Sequence, residues 1–235
     1  MFWRNRESSF FVFAFPIVLF LLLGAVYDGE IDGYRESDLL LVGMLGYGAA
    51  NTALAGLAIM LVIRREMGLL KRVRSTPMPP RAYLGATLVS ILIVFALDAV
   101  VLFAIGVLLF GADGPENVAS LGLVLLVGSL AFAGLGLGLA ALIRSADGAS
   151  AVVNLIVLPM AFLSGAFVPS QEYPQWLQDA SEVLPLKHLI TLITDVYLDG
   201  EPAWENPVGI AVVVAWGLLG VLVAVRRFDW TPRER

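Results

Sequence analysis

YLGATLVSILIVFALDAVVLFAIGVLLF, residues 83–110, decides the fold. It runs 28 residues with a single charged side chain, Asp98. A surface helix of a soluble domain carries an apolar stripe and a polar face, and this stretch has no polar face. About 20 apolar residues cross a hydrocarbon core roughly 30 Å thick, and a helix rising about 1.5 Å per residue gives this stretch about 42 Å. It therefore reads as a membrane-spanning helix that tilts, kinks or protrudes.

The rest of the chain agrees. Of 235 residues, 59% are hydrophobic and 15% charged, and the mean hydropathy is +0.85. Soluble domains average about 45–50% apolar and about 25% charged. A water-facing globule, a disordered chain and a fibrous chain are excluded. Five further apolar stretches, 10–27, 39–63, 118–143, 149–168 and 208–225, accompany 83–110. Backbone groups in lipid must be satisfied internally, so each is expected to be helical. Continuous runs, unlike alternating ten-residue strands, exclude a transmembrane β-barrel. The expected fold class is an all-α integral membrane protein, one domain over 1–235, with six transmembrane helices. The first stretch is read as a retained span rather than a cleaved leader, because no small-x-small site precedes Asp28.

Lysine and arginine set the orientation. With both termini inside, 13 basic residues fall in inner segments and only Arg35 and Lys187 outside. The net charge of −5 is then the remainder of a basic inner face, an acidic outer face and Asp98. The outer segment 169–207 carries two helical patterns: Trp176, Leu177, Ala180, Val183 and Leu184, then Leu189, Ile190, Ile193, Val196 and Tyr197. Pro185 divides them. They predict a short helical hairpin, re-entrant or interfacial, that dips into the outer leaflet or caps the spans. Tyr173, Trp176, Tyr197 and Trp204 sit where an aromatic belt would.

Much chemistry is missing. There is no cysteine and one histidine, His188, so disulfides, thiolate metal sites and imidazole-based catalysis have little to draw on. No G-x-x-x-x-G-K-[ST] phosphate loop, H-E-x-x-H or G-x-S-x-G occurs. The expectation is no enzyme, no catalytic residue, no metal and no cofactor in this chain. Gly134 and Gly138 form a G-x-x-x-G pair for close helix approach, within the chain or between two copies. Asp98 near mid-span costs about 2.5–3.5 kcal/mol on insertion scales. It is either a residue of a translocation path or a neutral acid bonded to a neighbouring helix. Asn51 and Asn154 are the other polar groups expected inside, as path residues or as helix bridges.

The inner segment 64–82 is the most specific. Residues 66–74 predict a short helix with Leu69, Leu70 and Val73 on one side and Arg65, Lys71, Arg72 and Arg74 basic, stopped before Pro77. Such a helix lies on anionic lipid, docks on a soluble partner, or merely marks the inner side. Glu66-Met67-Gly68-Leu69-Leu70-Lys71-Arg72-Val73-Arg74-Ser75-Thr76-Pro77-Met78 resembles the E-x-G-[TL]-L-[KE]-x-[LV]-[RL]-x-[ST]-P-[LM] stretch of ABC-2 type permeases of ATP-binding-cassette exporters. Phe2-Trp3-Arg4-Asn5, Leu135-Gly136-Leu137-Gly138 before Arg144-Ser145-Ala146-Asp147, Phe162 to Pro169, Pro174-Gln175-Trp176-Leu177 and Leu184-Pro185-Leu186-Lys187-His188 extend the resemblance in order along nearly the whole chain.

The resemblance implies a permease in a prokaryotic plasma (inner) membrane, working as a homodimer or with a related permease, and powered by two copies of a separate ATPase that bind ATP and Mg. It implies that the loop between spans two and three is a coupling helix, with Glu66, Gly68, Leu69, Leu70, Lys71, Arg72 and Arg74 as ATPase contacts. Residues 1–9 would lie along the inner membrane surface. Trp176, Leu177, Pro185 and His188 would belong to the outer hairpin. The apolar helix interiors suit a drug, an antibiotic or a lipid-like amphiphile, with a lipid-linked glycan as the alternative. A proton-coupled transporter using Asp98 and a non-transporting scaffold are the competing classes.

Overall fold

The computed structural model describes residues 6–27, 29–31, 33–77, 79–115, 117–168 and 173–230. Among them the chain is helical apart from one two-residue antiparallel ladder, β1 (Glu30–Ile31) with β2 (Tyr34–Arg35). The helices are α1 (Arg6–Gly24), α2 (Glu36–Ala49), α3 (Leu57–Glu66), α4 (Leu69–Arg74), α5 (Pro80–Phe110), α6 (Val118–Leu142), α7 (Ala149–Leu163), α8 (Gln175–Ser181), α9 (Pro185–Tyr197) and α10 (Pro207–Arg227). A π-helical segment, Ala50–Gly56, joins α2 to α3 without a break, so Glu36–Glu66 is one central helix of 31 residues.

Among the described residues four helices are long and apolar enough to cross a membrane: Glu36–Glu66, Ala82–Phe110, Val118–Leu142 and Pro207–Arg227. α1 runs 19 residues, whereas the apolar helix Ala149–Leu163 is shorter than the expected span 149–168. The reason at α7 is local. Gly165 adopts φ 81°, Gly165 N–H donates to Phe162 O at 3.3 Å, and Ala166 N–H donates to Ala161 O at 3.1 Å. That is the Schellman closure, which ends a helix on a left-handed glycine. The expected span 149–168 therefore stops at Leu163. A 15-residue helix reaches about 22 Å, short of a bilayer core of roughly 30 Å.

The core sits around the central helix. Of its most apolar 18-residue window 78% is buried, against 33% for α5 and 28% for α10. Leu41, Met44, Leu45, Leu57 and Leu61 are fully buried. The outer helices instead present Leu108, Leu155, Leu218 and Val225 outward, as helices facing lipid do.

Small residues set the spacing. A Cβ at Gly134 would lie 2.5 Å from Gly217 O, one at Gly138 2.6 Å from Gly220 O, and one at Gly217 2.6 Å from Ala131 Cα. α6 and α10 thus touch backbone to backbone, and the Gly134/Gly138 pair is used within the chain. On another side of α6, a Cβ at Gly136 would lie 2.8 Å from Leu54 O of the π-segment. Gly43 of α2 abuts Ala166 O, which seats the α7 turn on the central helix.

The bundle has two ends. At one, the end of α3 meets the start of α5 and the α6–α7 turn, through Arg64 to Tyr83 and Arg65 to Ile143 O. At the other, Arg35 donates to Phe110 O (3.2 Å) and Gly111 O (2.9 Å) and pairs with Asp38 at 3.0 Å. Those are the orphan carbonyls that end α5. The first is the basic end, the second the hairpin end.

α9 closes the hairpin end. Leu186, Leu189, Leu192, Ile193 and Val196 are buried, Leu189 lies against Gly128 of α6 and Ile190 against Gly46 of α2. The hairpin is therefore packed onto the bundle. Pro185, expected as a breaker between two patterns, is the first residue of α9, where its missing N–H is no loss.

Candidate functional site

The basic end is built from Arg65 outward. Its side chain is 1% exposed, and its guanidinium donates to Ala140 O at 3.0 Å, to Ile143 O and to Arg144 O at 3.4 Å. These carbonyls close α6, where helix ends leave acceptors unpaired and where a cation is favoured by the helix dipole. The next residue, Glu66, accepts from Ala146 N–H with Oε2. The two neighbours thus bind the central helix to both sides of the α6–α7 turn. Sequence reading counted Arg65 only as a basic loop residue. Its position three residues before a helix-ending glycine carries no signal of a partner 75 residues away.

The expected single helix over 66–74 is corrected to two. Gly68 adopts φ 69°, a left-handed conformation that glycine takes without a Cβ clash, so α3 ends and α4 starts at an angle. Leu70 is fully buried, and it anchors α4 rather than facing outward with the other expected contacts. Leu69 is half-buried, while Glu66, Lys71, Arg72 and Arg74 are exposed beside Met67, which is 64% exposed. Thr76 Oγ1 donates to Val73 O at 2.6 Å and Ser75 Oγ to Lys71 O at 3.1 Å, which closes α4 before Pro77. Behind it, Arg64 donates to Tyr83 OH at 2.9 Å. Tyr83 stacks edge-on against Trp230, and Trp230 against Phe228. The result is a short basic helix on a rigid mount.

The buried polar groups lie deeper. Asp98 of α5 is 1% exposed, and among the described residues neither carboxyl oxygen has a hydrogen-bond partner. A Cβ at Gly48 would stand 3.2 Å from Asp98 Oδ2, so a glycine on the central helix makes room for the acid. Thr52, in the π-segment four residues beyond Gly48, also has a buried hydroxyl with no partner among the described residues. Asn51 is half-buried in the same segment. π-turns inside α-helices occur often at functional sites. The composition 46–56, rich in glycine and alanine, signalled close packing but not this winding. Asn154 differs from the expectation. It lies on the exposed side of α7 with Val152, Leu155 and Ile156, while Val153 and Val157 turn inward.

At the hairpin end, Trp176 is 68% exposed and Leu177 half-buried. Pro185 is buried, and His188, half-buried, bonds Glu182 O through Nε2 at 2.8 Å. Tyr197 OH donates to Asp113 O at 2.6 Å, and burial pushes that phenol up to about 12. Burial also raises the Asp195 carboxyl, although Asn206 Nδ2 donates to it at 2.9 Å. Among the described residues no three His, Cys, Asp or Glu side chains converge to hold a metal ion.

Long apolar helices with outward leucine and valine and a buried polar centre define a multi-pass membrane protein. The chain belongs to the ABC-2 type transporter family, whose model matches residues 1–198. It is a permease subunit of an ATP-driven transporter, works with partner ATPase subunits, and has neither ATPase activity nor a cofactor of its own. Among its relatives is YvfS of Bacillus subtilis (strain 168), assigned as a transport permease, 25% identical over 94% of this chain and 89% of YvfS. YbhR of Escherichia coli (strain K12), assigned as a multidrug ABC transporter permease, is 25% identical over 57% of this chain and 36% of YbhR. Nodulation protein J of Rhizobium leguminosarum bv. viciae is 36% identical over 43% of this chain and 39% of that protein.

Proposed function

We propose that the chain exports a hydrophobic or amphiphilic small molecule, and that α4 is the helix through which the ATPase drives it. The observation that carries the reading is the mount of α4. Lys71, Arg72 and Arg74 are exposed on it, Leu70 fixes it inward, and Arg65 and Glu66 join its base to the end of α6. A push on α4 is delivered to the central helix and, through the Arg65 and Glu66 bonds, to the α6–α7 turn. Gly68 supplies the bend, and Leu69 packs beside it.

On this reading the six apolar helices all belong to the membrane domain, with α7 as the short member. The basic end and both termini face the cytoplasm of a prokaryote, because basic residues near span ends stay inside. Two permease copies and two ATPase copies form the transporter. Asn154 supports the pairing, since an amide on an outward apolar face can hydrogen-bond across to a second copy. Asp98, beside the π-segment, and Asn51, within it, line the path. Trp176, Leu177, Pro185 and His188 belong to the outer hairpin that closes it. The apolar helix surfaces favour an amphiphile, in keeping with the multidrug assignment of YbhR; a lipid-linked glycan is the alternative cargo.

The test is direct. The permease is co-purified with its ATPase after residues 69–74 are replaced by a flexible glycine–serine linker, and after K71A/R72A/R74A. The linker is expected to abolish substrate-stimulated ATP hydrolysis, and the triple alanine to weaken ATPase association. Unchanged stimulation with the linker would remove the coupling role. Because the chain has no cysteine, N154C supplies one thiol for oxidative cross-linking, and a disulfide-linked dimer is expected.

A further inference from the structure

Asp98 stands well inside α5, and no basic residue of the apolar stretches balances its charge. The stretches 10–27, 39–63, 83–110, 118–143, 149–168 and 208–225 contain no lysine, arginine or histidine. At 1% exposure the acid is closed off from water and from the surface of a second copy. Among the described residues neither carboxyl oxygen has a hydrogen-bond partner. Buried charges are paired, because an isolated carboxylate is very costly away from water. The partner of Asp98 is therefore brought from outside the chain.

The groups gathered around the acid describe that partner. Gly48 of the central helix faces it: a Cβ there would lie 3.2 Å from Asp98 Oδ2 and 3.5 Å from Phe95 Cε2. Phe95 is three residues before Asp98, on the same face of α5, and is buried. Thr52 is four residues beyond Gly48, on the same face of the central helix. Its buried hydroxyl is also without a partner among the described residues. A carboxylate, a spare hydroxyl and an aromatic ring thus share the seam between α5 and the central helix. A carboxylate accepts strong charge-assisted bonds from a cationic N–H, and an aromatic ring beside it attracts an organic cation. A hard metal ion fits less well, since it gathers about six or more oxygens and the unpartnered side-chain oxygens here are Asp98 Oδ1, Asp98 Oδ2 and Thr52 Oγ1.

We infer that this seam binds the ammonium end of an amphiphile, with Asp98 as counter-ion, Thr52 as hydrogen-bond partner and Phe95 against the carbons next to the nitrogen. The seam opens to admit it where α5, the less buried of the two helices, parts from the central helix. The inference names the class of molecule moved on the export reading and rests on that reading. Binding is measured without ATP or transport, so the two fail separately.

Full-length permease in decyl maltoside micelles is dialysed against radiolabelled dodecyltrimethylammonium. Saturable binding is expected. Dodecylamine should displace the probe at concentrations about tenfold or more below those of 1-dodecanol, the scale of one charge-assisted hydrogen bond. D98N should weaken binding by about the same factor, D98E should restore most of it, and T52V and F95L should each weaken it less. No saturable binding to the parent, equal displacement by both competitors, or D98N that binds like the parent would each overturn the site. The Tm of each variant is read alongside, and if D98N does not fold, the competitor ratio on the parent decides. Phosphatidylethanolamine, whose headgroup is also an ammonium, separates the sources. Displacement of the probe by that lipid assigns the site to a membrane lipid, and no displacement assigns it to a free transported cation.

Discussion

Arg65 and Asp98 are both 1% exposed, and they are buried in opposite ways. Arg65 meets three backbone carbonyls at a helix end. Asp98 meets none among the described residues and stands against the bare backbone of Gly48. A buried charge surrounded by acceptors is a structural joint. A buried acid without donors is stabilised by nothing around it, and such groups persist where they serve another purpose. The basic end is therefore the part of the molecule made rigid, and the level of Asp98 and the π-segment is the part kept unsatisfied.

The largest test of this contrast is R65M. It orphans buried carbonyls at about 1–3 kcal/mol each, so a loss of order 3 kcal/mol is expected, read as a fall in Tm of the purified permease. A Tm within error of the parent would show that α6 ends without this cap. The next is D98L, which removes a polar group that has no partner. Such a change is nearly neutral or stabilising, so Tm should hold or rise while transport falls. A fall in Tm comparable to that of R65M would mean that Asp98 is a joint too, and the contrast would disappear. E66Q is smaller. It keeps an acceptor for Ala146 N–H but removes its charge, and a loss of about 1 kcal/mol is expected from a weakened charge-assisted bond.

The smallest effect comes from Asp195, where burial outweighs the Asn206 bond and raises the carboxyl above 3.8. A raised acid binds its proton more tightly folded than unfolded. Its contribution to stability is therefore greatest in acid and is lost as pH rises from near 3.8 through the folded-state value. A shallow fall in Tm over that window, flattened by D195N, is expected. A rise in Tm over it would reverse the assignment of burial as the leading cause.

Much of this arrangement was legible in the sequence. The long apolar runs, the basic segment and the two hairpin helices follow from composition and period, which depend on neighbours in sequence. The four long helices differ from the expected boundaries by only a few residues. What escaped depends on partners far along the chain or on single backbone torsions. Gly68 divides a pattern that reads as continuous, because hydrophobic period carries no record of φ. Gly165 ends α7 early although Ala166, Phe167 and Val168 continue the apolar run. Arg65 looks like its neighbours until α6 is placed against it. Asn154 reads as buried because its surroundings are apolar, yet apolar surroundings in a membrane protein also describe its outside.

The glycine contacts between α6 and α10 have a mechanical consequence. Where two backbones touch, no side chain is left to rotate or compress, so the separation of the two helices has a single value. Gly136 ties the same pair to the central helix through Leu54 O. These three helices form a keel with no internal play. Deformation during a working cycle falls on α1 and α5, the ribs that pack against it through side chains.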